Sequence, residues 1–251
     1  MAHALELLYV LVLKDLRVRY KGSVLGYLWA LANPLAFTAV YYIAFKLIIP
    51  TTTDHFALYL VTGLFPWLWA SNALVHSAAA YRSNLTLVRK VRLPRAIVPL
   101  SSIVQEMVHF LFAIPILALG VALATGTTHA SWIWLIPSMA VVQLAMLYPL
   151  GLILAASNVL VRDVEHLVGV ALQMLFFLTP IVYTAESIPR AYRGYFVLNP
   201  FMPMIGAWRT ALYRGDLDVA AIGRCLLFAG AAGLAAFAIH RSIEPTIGER
   251  L

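Results

Sequence analysis

Charged residues are scarce in this sequence of 251 residues. They make up 12% of the chain, whereas hydrophobic residues make up 62%. A typical soluble domain carries roughly 25% charged residues, so this chain has too little charge to solvate the one or two soluble domains that its length would allow. The composition predicts a single polytopic membrane domain with short loops.

Cysteine is almost absent, because Cys225 is the only one. A single thiol excludes an internal disulfide and a metal site built from several cysteines. Its apolar surroundings indicate an inert, buried side chain. The sequence also lacks a GxxxxGK[ST] phosphate-binding loop, and we find no paired carboxylates, no nucleophile–base arrangement and no metal-ligand cluster in it.

Long apolar runs are abundant. A helix needs about 20 mostly apolar residues to cross a bilayer, and unpaired backbone groups are too costly there for other structures. Six runs qualify, at about residues 25–49, 56–80, 96–124, 132–160, 168–183 and 219–240. The predicted fold is an all-α polytopic membrane protein with six transmembrane helices.

Loop charge orients these spans. Lys and Arg cluster before the first span and between the second and third. Arg162 lies between the fourth and fifth, but residues 50–55 and 125–130 contain no Lys or Arg. The positive-inside rule then predicts a multi-pass protein with cytoplasmic N- and C-termini.

Residues 184–218 do not fit this charge pattern. They fall on the predicted outer side, yet they contain four arginines, Arg190, Arg193, Arg209 and Arg214. Because the stretch is half apolar, we interpret it as an extracytoplasmic region of short re-entrant helices between spans five and six.

Residues 1–22 predict an amphipathic helix that lies in the cytoplasmic interface. Lys14, Arg17 and Lys21 fall opposite an apolar stripe. The stripe consists of Leu5, Leu8, Tyr9, Val12, Leu13, Leu16 and Tyr20. The alternative is a basic flank that only sets topology.

Polar residues inside the spans are candidates for function, because they are costly in a bilayer. Glu106 and His109 are three residues apart and share a helix face. A proton relay is conceivable, but we favour a buried pair that pins helices together, with His76 or Gln173 as partner. Asp163 is expected to cap the start of the fifth helix.

Four segments of the chain resemble the membrane subunits of ABC-2-type exporters. The resemblance is closest to the polysaccharide exporters that move lipid-linked O-antigen or teichoic acid. The segments follow the family's order and spacing. They are "KDLRVRYKGSVLGYLWALANPL" (14–35), "NLTLVRKVRLPRAIVPL" (84–100), "VRDVEHLVGVALQMLFFLTPIVY" (161–183) and "LNPFMPMI" (198–205).

The resemblance implies a homodimer in the bacterial cytoplasmic (inner) membrane, with two ABC ATPase subunits on its cytoplasmic face. ATP and Mg would bind those partner subunits, so this chain would carry no cofactor and would not itself be an enzyme. The expected substrate is an undecaprenyl-pyrophosphate-linked glycan. Membrane lipids are expected to surround the protein, and no nucleic-acid partner is expected.

The resemblance further implies that residues 81–95 form the coupling helix that docks on the ATPase subunit. The residues expected to contact the ATPase subunit or to pack there are Arg82, Leu85, Leu87, Arg89, Lys90, Val91, Arg92, Pro94 and Arg95. The alternative is that the basic ones are topological charges only.

The same resemblance implies a substrate entrance at the first helix and a conduit between the first and fifth spans. At the entrance, basic residues would meet a pyrophosphate or the partner, because arginine forks suit phosphate oxygens. These are Lys14, Arg17, Arg19 and Lys21.

Aromatic faces pack well on sugar rings, so the candidates to line the conduit are Tyr41, Tyr42, Phe45, Phe176, Phe177 and Tyr183. An interfacial aromatic girdle is the alternative for each of them. We assign four tryptophans to such a girdle, namely Trp67, Trp69, Trp132 and Trp134.

Two other functions remain open. An ABC-2 exporter of drugs or small lipids is disfavoured by "RYKGSVLGYLW" (residues 19–29). A stand-alone membrane sugar-transfer enzyme would need cytoplasmic acidic residues for a metal and a nucleotide sugar, but the predicted cytoplasmic loops between spans offer only Asp163 and Glu165.

Overall fold

The computed structural model describes residues 2–22, 28–44, 55–90 and 94–250, which contain helices and turns but no β-strand. The helices are α1 (Ala2–Tyr20), α2 (Trp29–Tyr42), α3 (Phe56–Ser83), α4 (Leu85–Lys90), α5 (Ile97–Thr125), α6 (Trp132–Leu160), α7 (Val164–Phe177), α8 (Arg193–Phe196), α9 (Phe201–Arg214) and α10 (Val219–Arg250). The all-α prediction is therefore confirmed for the described residues.

Among the described residues, four helices are long and apolar enough to cross a membrane. They are α3, α5, α6 and the Val219–Ile243 part of α10, with lengths of 28, 29, 29 and 25 residues. They correspond to the predicted second, third, fourth and sixth spans. At 1.5 Å per residue each is longer than the roughly 30 Å hydrocarbon core.

The helices at the first and fifth predicted spans are shorter. Both α2 and α7 have 14 residues, about 21 Å of helix. Residues 23–27 and 45–50, which flank α2 within the first predicted span, lie outside the described part of the chain. The count of six spans therefore stays a prediction.

Helix α7 is displaced from its predicted range of 168–183. It begins at Val164, and it ends at Phe177, three residues before Pro180. A residue that precedes proline disfavours the α-helical backbone conformation. Pro180 therefore makes it unfavourable for the helix to continue through Thr179. The apolar run continues to Tyr183, which is why hydrophobicity alone extends the span too far.

The start of α7 is not capped as the sequence predicted. Asp163 occupies the cap position, but its side chain makes no capping hydrogen bond. The Asn158 side-chain oxygen accepts instead from the Glu165 backbone N–H at 3.3 Å. A residue of the preceding helix thus satisfies one of the amides that open the new helix.

Helix α3 is the centre of the bundle, because it packs against α2, α5, α6, α7 and α9. Small residues let α6 come close to it. A Cβ added at Gly151 of α6 would meet Ser77 Oγ of α3 at 2.8 Å. Close backbone approach at small residues is the usual basis of packing between membrane helices.

Helix α9 is built into the bundle rather than lying on its surface. Trp208 is fully buried, and its indole N–H donates to Gln143 Oε1 of α6 at 2.6 Å. Gln143 Nε2 donates in turn to the Pro66 carbonyl of α3 at 3.0 Å. One glutamine therefore joins three helices.

The two ends of the bundle can be told apart by their contacts. We call the end where α3 and α6 finish and α5 and α7 begin the α4 end. At the opposite end, the α9 end, the His129 ring lies 3.1 Å from the Tyr213 carbonyl oxygen.

Arg209 of α9 binds the segment that follows α7. Its guanidinium donates to the Pro180 carbonyl at 2.6 Å and to the Ile181 carbonyl at 2.9 Å, and it lies 3.6 Å from the centre of the Tyr59 ring. Asn199 adds a bond to the Leu178 carbonyl at 3.0 Å. These bonds satisfy carbonyls left open where the helix stops.

We expect Arg209→Met to destabilise the protein by about 1–3 kcal/mol, because it leaves two carbonyls without their donor. The matched control is Arg214→Met, which removes an exposed arginine at the end of the same helix. Thermal unfolding in detergent measures both variants. Equal midpoints for the two would contradict this role of Arg209.

Candidate functional site

The C-terminal half of α1 packs on α5. Leu11, Val12 and Leu16 are buried in this contact, whereas Leu5 and Tyr9 are each 66% exposed. The predicted apolar stripe therefore divides into a half that faces the protein and a half that remains exposed. The sequence missed Leu11, which lies beside the stripe.

The four basic residues of the predicted entrance are not equivalent. Lys14 pairs with Asp15 at 2.8 Å and donates to Asn84 Oδ1 at 2.6 Å. Arg19 pairs with Glu106 of α5. Arg17 and Lys21 are exposed and form no ion pair with any other described residue.

Glu106 is the centre of a cluster that joins three helices. Its carboxylate is 3% exposed and binds Arg19 of α1, while His76 Nδ1 of α3 lies 3.0 Å from Oε1. His109 Nδ1 lies 3.4 Å from Oε2 and 3.2 Å from Arg19 Nη1. A buried carboxylate needs such partners.

The interpretation of Glu106 as a residue that pins helices is therefore supported by its contacts, with His76 as the predicted partner. Gln173, the other suggested partner, is exposed on α7. Arg19 was not anticipated as a partner, because α1 is far from α5 in the sequence.

A cavity of about 570 Å³ opens between α1, α3 and α5 beside this cluster. Lys14 and Arg19 line it, but Asp15 and Glu106 already neutralise them. The cavity therefore carries little uncompensated positive charge. Of the four basic residues of the predicted entrance, Arg17 and Lys21 are the two that form no ion pair within the described residues.

The predicted coupling segment begins at the end of α3 and continues through α4. Arg89 and Lys90 are exposed on α4, as are Arg82 and Pro94 on either side of it. Leu85, Leu87 and Arg95 are partly buried. Val91 and Arg92 lie outside the described residues.

Val88 is the residue that anchors α4 to the bundle. It is 5% exposed and packs in a small core with Tyr81, Val98 and Ala155. The sequence prediction passed over it, although its spacing of three from Leu85 places both on one helix face. The basic residues are thus presented on a helix whose other side is fixed.

Part of the predicted aromatic lining does come together. The rings of Tyr41 in α2 and Phe176 in α7 have centroids 5.3 Å apart, and Phe177 stands next to them with an exposed ring. Tyr183 donates to the Phe177 carbonyl at 2.8 Å. Tyr42 is partly buried against the core, and Phe45 lies outside the described residues.

Two tryptophans contradict the girdle assignment. Trp67 is 3% exposed and Trp69 is 2% exposed, so both belong to the core. Trp67 packs edge-on to Phe201 at 5.3 Å and lies 6.0 Å from Phe176. Trp132 is partly buried, and among the four only Trp134 is exposed.

The described residues include no group of three or more His, Cys, Asp or Glu side chains that could hold a metal ion. Cys225 is buried, as expected.

Comparison with known proteins agrees with these features. The chain is 35% identical to the O-antigen export system permease protein RfbA of Klebsiella pneumoniae over 218 residues, which cover 87% of this chain and 84% of the relative. It is 32% identical to the RfbA protein of Myxococcus xanthus, covering 84% of this chain and 82% of that relative.

A more distant relative is the polysialic acid transport protein KpsM of Escherichia coli. The identity is 24% over 215 residues, which cover 83% of this chain and 81% of KpsM.

The family model described as "ABC-2 type transporter" matches residues 6–213. That match covers α2 to α8, all of α9 except Arg214, and most of α1. The chain therefore belongs to the ABC-2 type transporter family.

Proposed function

We propose that this chain is the permease subunit of an ATP-driven exporter that moves a lipid-linked polysaccharide across the bacterial cytoplasmic membrane. The observation that carries the proposal is its 35% identity, over 87% of its length, to an O-antigen export permease. The substrate would be of O-antigen or teichoic acid type.

In this proposal two copies of the chain pair around a central conduit. Each copy crosses the membrane six times, with α2 and α7 and their flanking residues forming the first and fifth spans, and with residues 184–218 re-entering the outer leaflet. The exposed rings of Phe37 and Phe177 lie on these two helices, where a second copy or lipid would cover them.

ATP and Mg would be bound by two separate ATPase subunits, because the sequence of this chain has no phosphate-binding loop. Both chain termini and the α4 end would be cytoplasmic. The exposed Arg89 and Lys90 on α4 support docking there, since Val88 fixes the opposite side of that helix.

Substrate would enter beside α1, the proposed interface helix. Arg17 and Lys21 are the basic residues that we assign to the pyrophosphate of the lipid carrier, because Lys14 and Arg19 are already paired. The glycan would then pass the aromatic surface that includes Tyr41 and Phe176.

Reconstitution tests the function directly. We expect vesicles that contain this chain and its ATPase subunit to translocate an undecaprenyl-pyrophosphate-linked glycan only when ATP and Mg are supplied. Translocation or glycan transfer by this chain without the ATPase subunit would contradict the proposal.

Charge reversal on the coupling segment tests α4 docking. We expect R89E/R92E to abolish export while leaving the unfolding midpoint unchanged, because the substitutions reverse charges that would contact the partner subunit. The matched control is R190E/R214E, which reverses two exposed arginines near the α9 end. Normal export by R89E/R92E would count against docking at α4.

Neutralising Glu106 tests how α1 is held. We expect E106Q to raise the hydrogen-exchange rate of α1 amides by about tenfold, since losing a charged hydrogen bond costs about 1–3 kcal/mol. The control is E186Q, because Glu186 is exposed. If the α1 amides exchanged at the same rate in E106Q and E186Q, the Arg19–Glu106 ion pair would not be what holds α1 on α5.

A further inference from the structure

A second polar cavity, of about 580 Å³, lies at the α4 end between α3, α6 and the start of α7. We call it the Arg82–Arg162 cavity. Residues from each of these elements line it, including Arg82, Ser83, Leu85, Asn158, Arg162 and Glu165. Arg82, Ser83 and Leu85 belong to the predicted coupling segment, but Asn158, Arg162 and Glu165 belong neither to it nor to the predicted conduit.

The charge of this cavity is not balanced. Arg82 comes from the end of α3, and Arg162 comes from the turn between α6 and α7. Neither forms an ion pair within the described ranges, and Glu165 is the one acidic residue of the lining. The cavity beside α1 differs, because its two cations are already neutralised.

Two unpaired guanidinium groups facing one cavity favour an anionic ligand with several oxygens. A carboxylate or a phosphate accepts paired hydrogen bonds from an arginine fork. Leu85, the first residue of α4, also lines the cavity. A protein seated on the exposed face of α4 would therefore lie beside both guanidinium groups.

The walls of the cavity are tied together by Asn158, which is 1% exposed. Its Nδ2 donates to the Ala78 carbonyl of α3 at 2.9 Å, and its oxygen accepts from the Glu165 N–H of α7 at 3.3 Å. Because both bonds come from one buried amide, a movement of the α3 wall would be passed to the first turn of α7.

We propose that the Arg82–Arg162 cavity receives acidic side chains of the ATPase subunit, as a second docking contact beside α4. Asn158 is then the positioning residue that transmits the motion of this contact to α7. The inference rests on the proposed function, since it assumes an ATPase partner at the α4 end. It differs in assigning the contact to Arg162 and the transmission of its motion to Asn158, both of which lie outside the coupling segment.

Binding of the ATPase subunit to the permease in nanodiscs tests the contact. We expect R162E to weaken binding by about tenfold, because one attractive charge becomes repulsive. The control is R190E, which changes an exposed arginine near the α9 end. It should bind the ATPase subunit as tightly as the unsubstituted permease does. The difference in affinity between R162E and the unsubstituted permease should shrink as the salt concentration rises from about 0.15 M to about 1 M, where the Debye length falls to about 3 Å.

The comparison with α4 separates two failures. If R89E/R92E abolishes binding while R162E binds normally, docking on α4 stands and the cavity contact is wrong. If neither variant weakens binding, both the cavity contact and the proposed docking at this end are wrong.

The chemistry of the ligand can be identified with R162K. A zero-length carbodiimide should join the introduced amine to an aspartate or glutamate of the ATPase subunit, which peptide mass spectrometry would locate. Absence of this adduct would overturn the assignment of a carboxylate.

A lipid phosphate is the competing ligand. We expect R162E to impair ATPase binding equally in nanodiscs of phosphatidylcholine and in nanodiscs that also contain phosphatidylglycerol. If the defect appears only with phosphatidylglycerol, the cavity binds a lipid headgroup and the proposal is wrong.

Asn158→Leu tests the transmission step. With enough ATPase subunit to saturate the permease, we expect this variant to export several-fold less glycan per ATP hydrolysed. A merely structural role would lower the unfolding midpoint and the amount of folded protein but leave that ratio unchanged. An unchanged ratio would overturn the role given to Asn158.

Discussion

Each polar group that this helix bundle buries needs a partner within the protein, because an apolar environment offers none. Single side chains meet this need by joining elements that are distant in the sequence. Glu106 joins α1 and α3 to α5, Gln143 joins α3 and α9 to α6, and Arg209 joins α9 to the segment after α7. Apolar packing brings the helices together, and these polar contacts specify which residues meet.

This constraint bears most on α7, one of the two 14-residue apolar helices at the predicted first and fifth spans. Asn158 accepts from its first turn, and Arg209 and Asn199 donate to the carbonyls beyond its end. A helix held at both ends moves with the elements that hold it. In the proposed exporter, α7 would follow α3 and α6 at the cytoplasmic end and α9 at the outer end, which makes it suited to carry motion toward the aromatic surface.

The arginines of residues 184–218 illustrate how a topological rule and a folded structure answer different questions. The positive-inside rule treats them as loop charges on the wrong side. In the fold, Arg209 binds three carbonyls, and Arg193 donates to the carbonyls of Ile188 and Glu186. Two of the four arginines thus serve the local structure, a use that no count of charge can reveal.

Sequence reasoning was right where the inference depends on the residues of a single helix. The spans that became α3, α5, α6 and α10 follow from apolar length. The pinning role of Glu106 and His109 follows from the cost of buried polar groups, although the sequence left His76 and Gln173 open as their partner. It was wrong for Trp67 and Trp69, because a tryptophan in an apolar helix can face either lipid or a neighbouring helix. It also missed the contacts of Val88 and Arg209, which depend on elements that the chain order does not place next to them.

The sequence by itself determined that the chain is an all-helical membrane protein, and the order of its motifs matched a family, because hydrophobic length and local spacing are properties of the linear chain. Only the tertiary structure decided which charges are already neutralised. Arg17 and Arg19 look alike in the sequence, yet Arg19 is paired with Glu106 of α5 and Arg17 forms no ion pair within the described residues. Electrostatic pairing depends on distances between helices, and those distances exist only once the bundle has formed.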